Sequence, residues 1–178
     1  TPDIALIAAM KGHQKYFPTR TKTGELTNRF ITVSNIESTD ESQVIAGNQR
    51  VIRARLSDAK FFYDTDRKHT LRSRRARLDK ITFHPKLGSL GEKTERLKKL
   101  SGQIAGSIGA DTNIMHQAAE LSRCDLVSEM VLEFDELQGR IGTLYATLEQ
   151  ENPDVAQAIQ GLYLSLIHIS EPTRLSGI

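Results

Sequence analysis

Apolar positions recur with a helical period along most of this chain. Between Cys124 and Gly142, Val127, Met130, Val131 and Phe134 fall three and four residues apart, and Leu137, Ile141, Leu144, Tyr145 and Leu148 continue the series. That spacing predicts a helix with a buried stripe, with a break near Asp135 as an open alternative. Glu129, Glu133, Asp135 and Glu136 lie on the other side, so its outer surface should be acidic. Asp125 sits close to the stripe, and Gly139 and Gly142 interrupt a stretch that alanine would make more helical. The two glycines read as points of close helix crossing.

The same reading extends to the other elements. Ser89 and Glu92 have capping-box spacing ahead of a helix with Leu97, Leu100, Ile104 and Ile108 on its predicted buried face and Gly109 as its stop. Asp111 or Thr112 caps the next helix, through Ile114, Ala118 and Leu121. Asn152 followed by Pro153 opens a last short helix through Val155, Ala158 and Ile159. Ser38 and Glu41 have capping-box spacing too. The helix they open would bury Ile45, Ile52, Leu56, Ala59 and Tyr63, with a break or close packing at Gly47-Asn48. Further upstream, one β-prone run ends with Tyr16 and Phe17 at Pro18, and another carries Phe30, Thr32 and Val33. The turn signal Lys22-Thr23-Gly24-Glu25 between them predicts two antiparallel strands joined by an irregular loop. Ile4 to Met10 is too short for its period to separate helix from strand. The predicted class is α+β, mostly α: a small antiparallel β element followed by five or six helices.

Charge changes this picture more than composition does. The 178 residues are 38% hydrophobic and 6% aromatic without Trp, which suits an aliphatic helical core. Residues 50–86 hold twelve Lys/Arg and four Asp/Glu, a net +8, whereas residues 111–160 hold two and ten, a net −8. Such a split predicts a basic surface for a polyanion beside an acidic one that repels it or meets a protein partner. Mutual pairing of the two regions is the plainer alternative. The run Arg67 to Arg77 has only Leu71 nearby as an apolar anchor, with Leu78 just beyond, and reads as a solvated face. Basic side chains with aromatic neighbours can neutralise phosphates and stack on bases. The candidates are Lys11, His13, Lys15, Arg50, Arg53, Arg55, Lys60, Arg67 and Lys68.

Other chemistries find little support. No histidine has a partner at a metal-ligand spacing, and no G-x-x-x-x-G-K-[ST], G-x-G-x-x-G or G-x-S-x-G pattern occurs. A single cysteine, Cys124, excludes an internal disulfide and suits a reducing, cytoplasmic setting. Beside an apolar stripe it reads as a small core residue rather than a nucleophile. No apolar run reaches the length of a membrane span, and no leader pattern opens the chain. The spacings predict neither a catalytic centre nor a bound metal or cofactor.

The blocks MKGHQKYFP, NRFITVSNI, VIAGNQRVIRARLSDAKFFYDTDRK, KLGSLGEKTERL and DLVSEMVLEFDELQGRIGTLYA resemble, in order, the beta subunit of the bacterial tetrameric glycyl-tRNA synthetase. The resemblance covers nearly all of residues 1–163 and implies an internal fragment of a longer subunit. It implies a part in the ATP-dependent glycylation of tRNA(Gly), with tRNA binding and assembly as this subunit's contribution. The catalytic site, and the ATP and Mg it uses, would belong to the alpha subunit in an alpha2beta2 complex in the cytoplasm. It also implies that residues 1–85 form the β element and basic helical segment of the subunit body. Residues 86–163 would begin a helical domain similar to the HD fold, here incomplete. At the expected His-Asp step stand Cys124 and Asp125, a degenerate position lacking the imidazole a metal would need. Residues 164–178 break with the preceding style and read as a non-native tail. A metal-dependent HD-type phosphohydrolase and a purely structural subunit-interaction module are the alternatives.

Overall fold

The stretch Ile4–Met10 is helical. It forms most of α1 (Asp3–Lys11), whose Ala5, Ala8 and Ala9 are buried and let α2 (Glu41–Asp66) pack close against it. The chain is described by a computed structural model over residues 1–164 except His13 and Ile36. The expected tail, residues 164–178, therefore lies outside the described residues apart from Leu164.

Between α1 and α2, β1 (Phe17–Arg20) pairs antiparallel with β2 (Leu26–Ile31) in the register Phe17 with Ile31, Pro18 with Phe30 and Arg20 with Leu26. Pro18 does not end the first strand, as its sequence position suggested, but sits inside it. A two-stranded sheet has only edge strands, which tolerate a missing N–H. Tyr16 fixes the hairpin to α2: its ring lies 4.9 Å from that of Phe30, and its hydroxyl donates to Asn48 Oδ1 at 2.6 Å.

Helix α2 departs from expectation at three points. Its cap is Asp40 rather than Ser38, because the Asp40 carboxylate accepts the Gln43 N–H at 3.2 Å. Gly47-Asn48 does not break it: Asn48 donates to the Val44 carbonyl at 2.8 Å while it holds Tyr16. Of the predicted stripe, Ile52 and Ala59 are buried and Leu56 and Tyr63 half-buried, but Ile45 is 57% exposed, since little packs on the first three turns.

The basic run continues as a 3-10 segment, Arg72–Lys80, with Leu71 and Leu78 fully buried. A short ribbon, β3 (Thr82–His84) with β4 (Gly88–Ser89), leads into α3 (Leu90–Ile108). There Ser89 and Glu92 form the expected capping box, and Gly109 ends the helix in the left-handed region at φ 71°. The predicted core face of α3 is not its packed face. Leu90, Gly91, Thr94 and Ala105 are buried, whereas Leu100, Ile104 and Ile108 are exposed. Small residues allow the 3-10 segment and α4 (Thr112–Leu121) to approach on that side, with Gly102 directly under the His116 ring. Asp111 caps α4, and Asn152 caps α7 (Pro153–Gly161), as expected.

Residues 124–148 keep the predicted burial as far as Tyr145, with Leu144 half-buried and Leu148 44% exposed, but not the predicted continuity. Two 3-10 turns, Cys124–Val127 and Asp135–Leu137, alternate with α5 (Glu129–Glu133) and α6 (Arg140–Leu148). Ser128 caps α5 through the Val131 N–H, and Gly139, at φ 76°, turns the chain into α6. Val127, Met130, Val131, Phe134, Leu137, Ile141 and Tyr145 are nevertheless all buried. They form one core with Ala5, Ala59, Leu71 and Leu78, so the same apolar cluster contains residues from both sides of position 85. The class is α+β and mostly helical, with small antiparallel sheets, as predicted.

Candidate nucleic-acid interface

Helix α2 presents Arg50 and Arg53 one turn apart on its solvent side, where they border a shallow hollow with Ala46 and Gln49. Neither has an ion pair among the described residues. Arg53 also reaches the rim of a larger groove of roughly 680 Å³ between α1, β2 and α2. The groove has an apolar floor of Leu6, Met10, Leu26, Phe30, Ile52 and Leu56, and Arg29 stands at its rim with Asn28 and Gln49. Arg29 was not singled out from the sequence. Its signal was available in the alternation of LTNRFI, which puts it on the face of β2 opposite Phe30 and Leu26.

The remaining candidates are dispersed. Lys11 is exposed at the end of α1, and Lys15, at φ 56°, bonds the Gly12 carbonyl at 3.1 Å. His13 lies outside the described residues. Arg55 reaches Glu133 at 3.7 Å, and Lys60 is held by Asp64 one turn along. Arg67 and Lys68 are exposed just past α2, with no ion pair among the described residues.

The basic run after them is largely neutralised. Arg72 bridges Glu120 at 3.5 Å and Glu151 at 3.3 Å, and Arg75 bridges Asp79 at 3.0 Å and Glu95 at 2.8 Å. Arg74 is buried against Asp66, the two side chains 3% and 2% exposed. The reading of this run as a solvated face holds for Arg67, Lys68, Arg72 and Arg77, which are exposed, and is corrected for Arg74, which is buried, and Arg75, which is half-buried. Its arginines tie the 3-10 segment to α2, α3, α4 and the α6–α7 connection, because Leu71 and Leu78 draw the segment into the core. For this segment, mutual pairing of the basic and acidic regions accounts for the charge.

Asp66 is the centre of the strongest polar cluster, and nothing in its sequence surroundings marked it. Its carboxylate accepts from Arg74 Nη2 at 3.1 Å, from the Glu129 and Met130 amides at 2.9 and 3.0 Å, and from the Tyr145 hydroxyl at 2.9 Å. Arg74 also donates to the carbonyls of Asp66 and His69 and lies over the Tyr145 ring. Burial, with Asp66 beside it, pushes the Tyr145 phenol well above its ordinary range.

The Cys124–Asp125 step is wholly buried. Burial pushes the Cys124 thiol up to about 12, and its S–H points to the Glu120 carbonyl at 3.4 Å. Burial also pushes the Asp125 carboxyl up to about 6, against the opposing pull of backbone amides, that of Gly139 foremost. That amide donates to Asp125 Oδ2 at 2.6 Å, while Oδ1 has no hydrogen-bond partner among the described residues. Gly142 permits this approach, since a Cβ there would stand 2.9 Å from both Asp125 Oδ2 and Ile159 Cγ2. Asp125 therefore closes the turn into α6. Among the described residues no three of His, Cys, Asp and Glu gather as metal ligands would, and no helix is long and apolar enough to cross a membrane.

Comparison with known proteins adds sequence relationships to this geometry. A family model described as glycyl-tRNA synthetase beta subunit matches residues 1–174. A glycine–tRNA ligase beta subunit of Chromohalobacter salexigens is 53% identical over 163 residues, which is 92% of this chain and 24% of that relative. Those of Shewanella amazonensis and Neisseria meningitidis serogroup C are 49% and 48% identical over 162 residues, 91% of this chain and 24% of each relative. The chain thus spans about a quarter of the length of the curated relatives it matches.

Proposed function

The chain belongs to the glycyl-tRNA synthetase beta subunit family, and on that premise we propose that it contributes a tRNA-holding surface to an ATP-dependent glycine–tRNA ligase. The observation that carries this reading is the pair Arg50 and Arg53, exposed on one side of α2 and without ion pairs among the described residues, with Arg29 on the neighbouring strand. Guanidinium groups so placed displace counterions from a phosphate backbone, and the binding weakens steeply as salt rises. Arg67 and Lys68 extend the surface past the end of α2. Arg72, Arg74 and Arg75 hold the scaffold instead, because their charge is already matched by carboxylates. Glycine activation and transfer, with their ATP and Mg, belong in this reading to the alpha subunit of a cytoplasmic alpha2beta2 assembly. The beta chain supplies RNA affinity and subunit contacts without a catalytic site of its own.

Filter binding with tRNA(Gly) transcript at roughly 50 to 200 mM salt tests the reading. Charge reversal at Arg53 should weaken binding and lower the salt slope by about 1, as for one lost phosphate contact. Reversal at Lys60, already paired with Asp64, should do less, and reversal at Arg140 least. Affinity that does not respond to salt, or an equal loss from all three, would remove the phosphate-contact reading.

A further inference from the structure

The groove beside β2 is a feature that tRNA binding leaves unexplained. We propose that it seats an extended strand from another part of the beta subunit, paired along the free edge of β2. Three independent observations support this.

First, β2 has a partner on one side only: among the described residues its sheet contains just β1 and β2. An open strand edge is a template for a further strand. Second, the groove along that edge has an apolar floor, and a second hollow lined by Phe30, Val44 and Ile45 continues it along α2. Third, large apolar side chains of the hairpin and the first turns of α2 are exposed, Phe17, Ile31, Val33, Ile45 and Val51, and Ile45 itself lines the second hollow. The matched relatives are about four times as long as the stretch they share with this chain, so the same polypeptide has ample length to supply the strand. Alternate side chains of the incoming strand would enter the floor.

Hydrogen exchange read by mass spectrometry tests this, comparing the present chain with a full-length Chromohalobacter salexigens beta subunit whose matching stretch is replaced by this sequence. The amides of Leu26–Ile31 should exchange about a hundredfold more slowly in the full-length protein, without tRNA. Ile45→Asp provides the second measurement. It should leave the melting temperature of the present chain unchanged, because Ile45 is exposed there, yet lower that of the full-length protein by several degrees and remove the protection. Equal exchange in the two proteins would overturn the proposal. So would protection that appears only when tRNA is added, which would make the RNA the occupant. Protection that grows with the concentration of the present chain would do the same, pointing to a second copy.

Discussion

Replacing Asp66 with alanine should remove more stability than any other single polar substitution in the chain. The carboxylate side chain is 2% exposed and accepts four hydrogen bonds from three separate elements. Its loss leaves the Arg74 guanidinium buried without a counter-charge, which alone costs about 3–5 kcal/mol. Two amides at the start of α5 and the Tyr145 hydroxyl also lose their acceptor, at about 1–3 kcal/mol for each group left unsatisfied, though such costs do not add within one network. Arg74 keeps its bonds to two backbone carbonyls, so the low end of the first range is the better guide. A total near 4 kcal/mol approaches the whole stability of many domains of this size. In urea unfolding this appears as a midpoint lower by about 2 M at an ordinary slope. Combining Asp66→Leu with Arg74→Met, which removes both charges, should recover much of the loss, because a buried pair is far worse broken than absent. A loss below about 1 kcal/mol for Asp66→Ala, or additive losses in the double variant, would show that the cluster is not coupled in the way its geometry implies.

Two glycines should respond to alanine with opposite signs in the same denaturation assay. Gly47→Ala meets nothing within 4 Å on exposed α2 and should stabilise by about 0.5–1 kcal/mol, whereas Gly142→Ala drives a methyl onto Asp125 and Ile159 and should cost about 1–3 kcal/mol. Asp125 is raised to about 6 when folded from an ordinary value of 3.8, so the native state holds the extra proton between those values. Its stabilising effect is full below pH 4 and is lost as pH rises through 6. The stability difference between Asp125→Asn and the parent chain should therefore grow by about 2–3 kcal/mol in favour of the variant across that window and be flat above it. A flat difference throughout would contradict the burial argument. Cys124 should resist a thiol-specific reagent at pH 8 in the native chain and react fully in denaturant, because burial holds its thiol near 12.

Local rules read much of this chain correctly. The capping box at Ser89 and Glu92, the glycine stop at Gly109 and the caps at Asp111 and Asn152 are short-range hydrogen-bond chemistry, and each stands where its spacing put it. Apolar periodicity likewise picked out the buried residues of 124–148, because what must leave water is a property of side chains and their order. It could not show that Ser128 and Gly139 divide that stretch, since broken and continuous helices can bury the same residues.

What the sequence alone determined is therefore the class, the caps at Ser89, Asp111 and Asn152, most of the core and the family. Only the tertiary structure decided which charges are free. Arg53 and Arg74 look alike in a linear reading, but one faces water and the other meets Asp66, on another segment, in the core. Likewise, Leu100 and Ile104 share the period of a buried face, yet small residues set the true contact of α3 and leave them outside. Pairing across long sequence separations is set by packing, and packing depends on the shapes of all the elements at once.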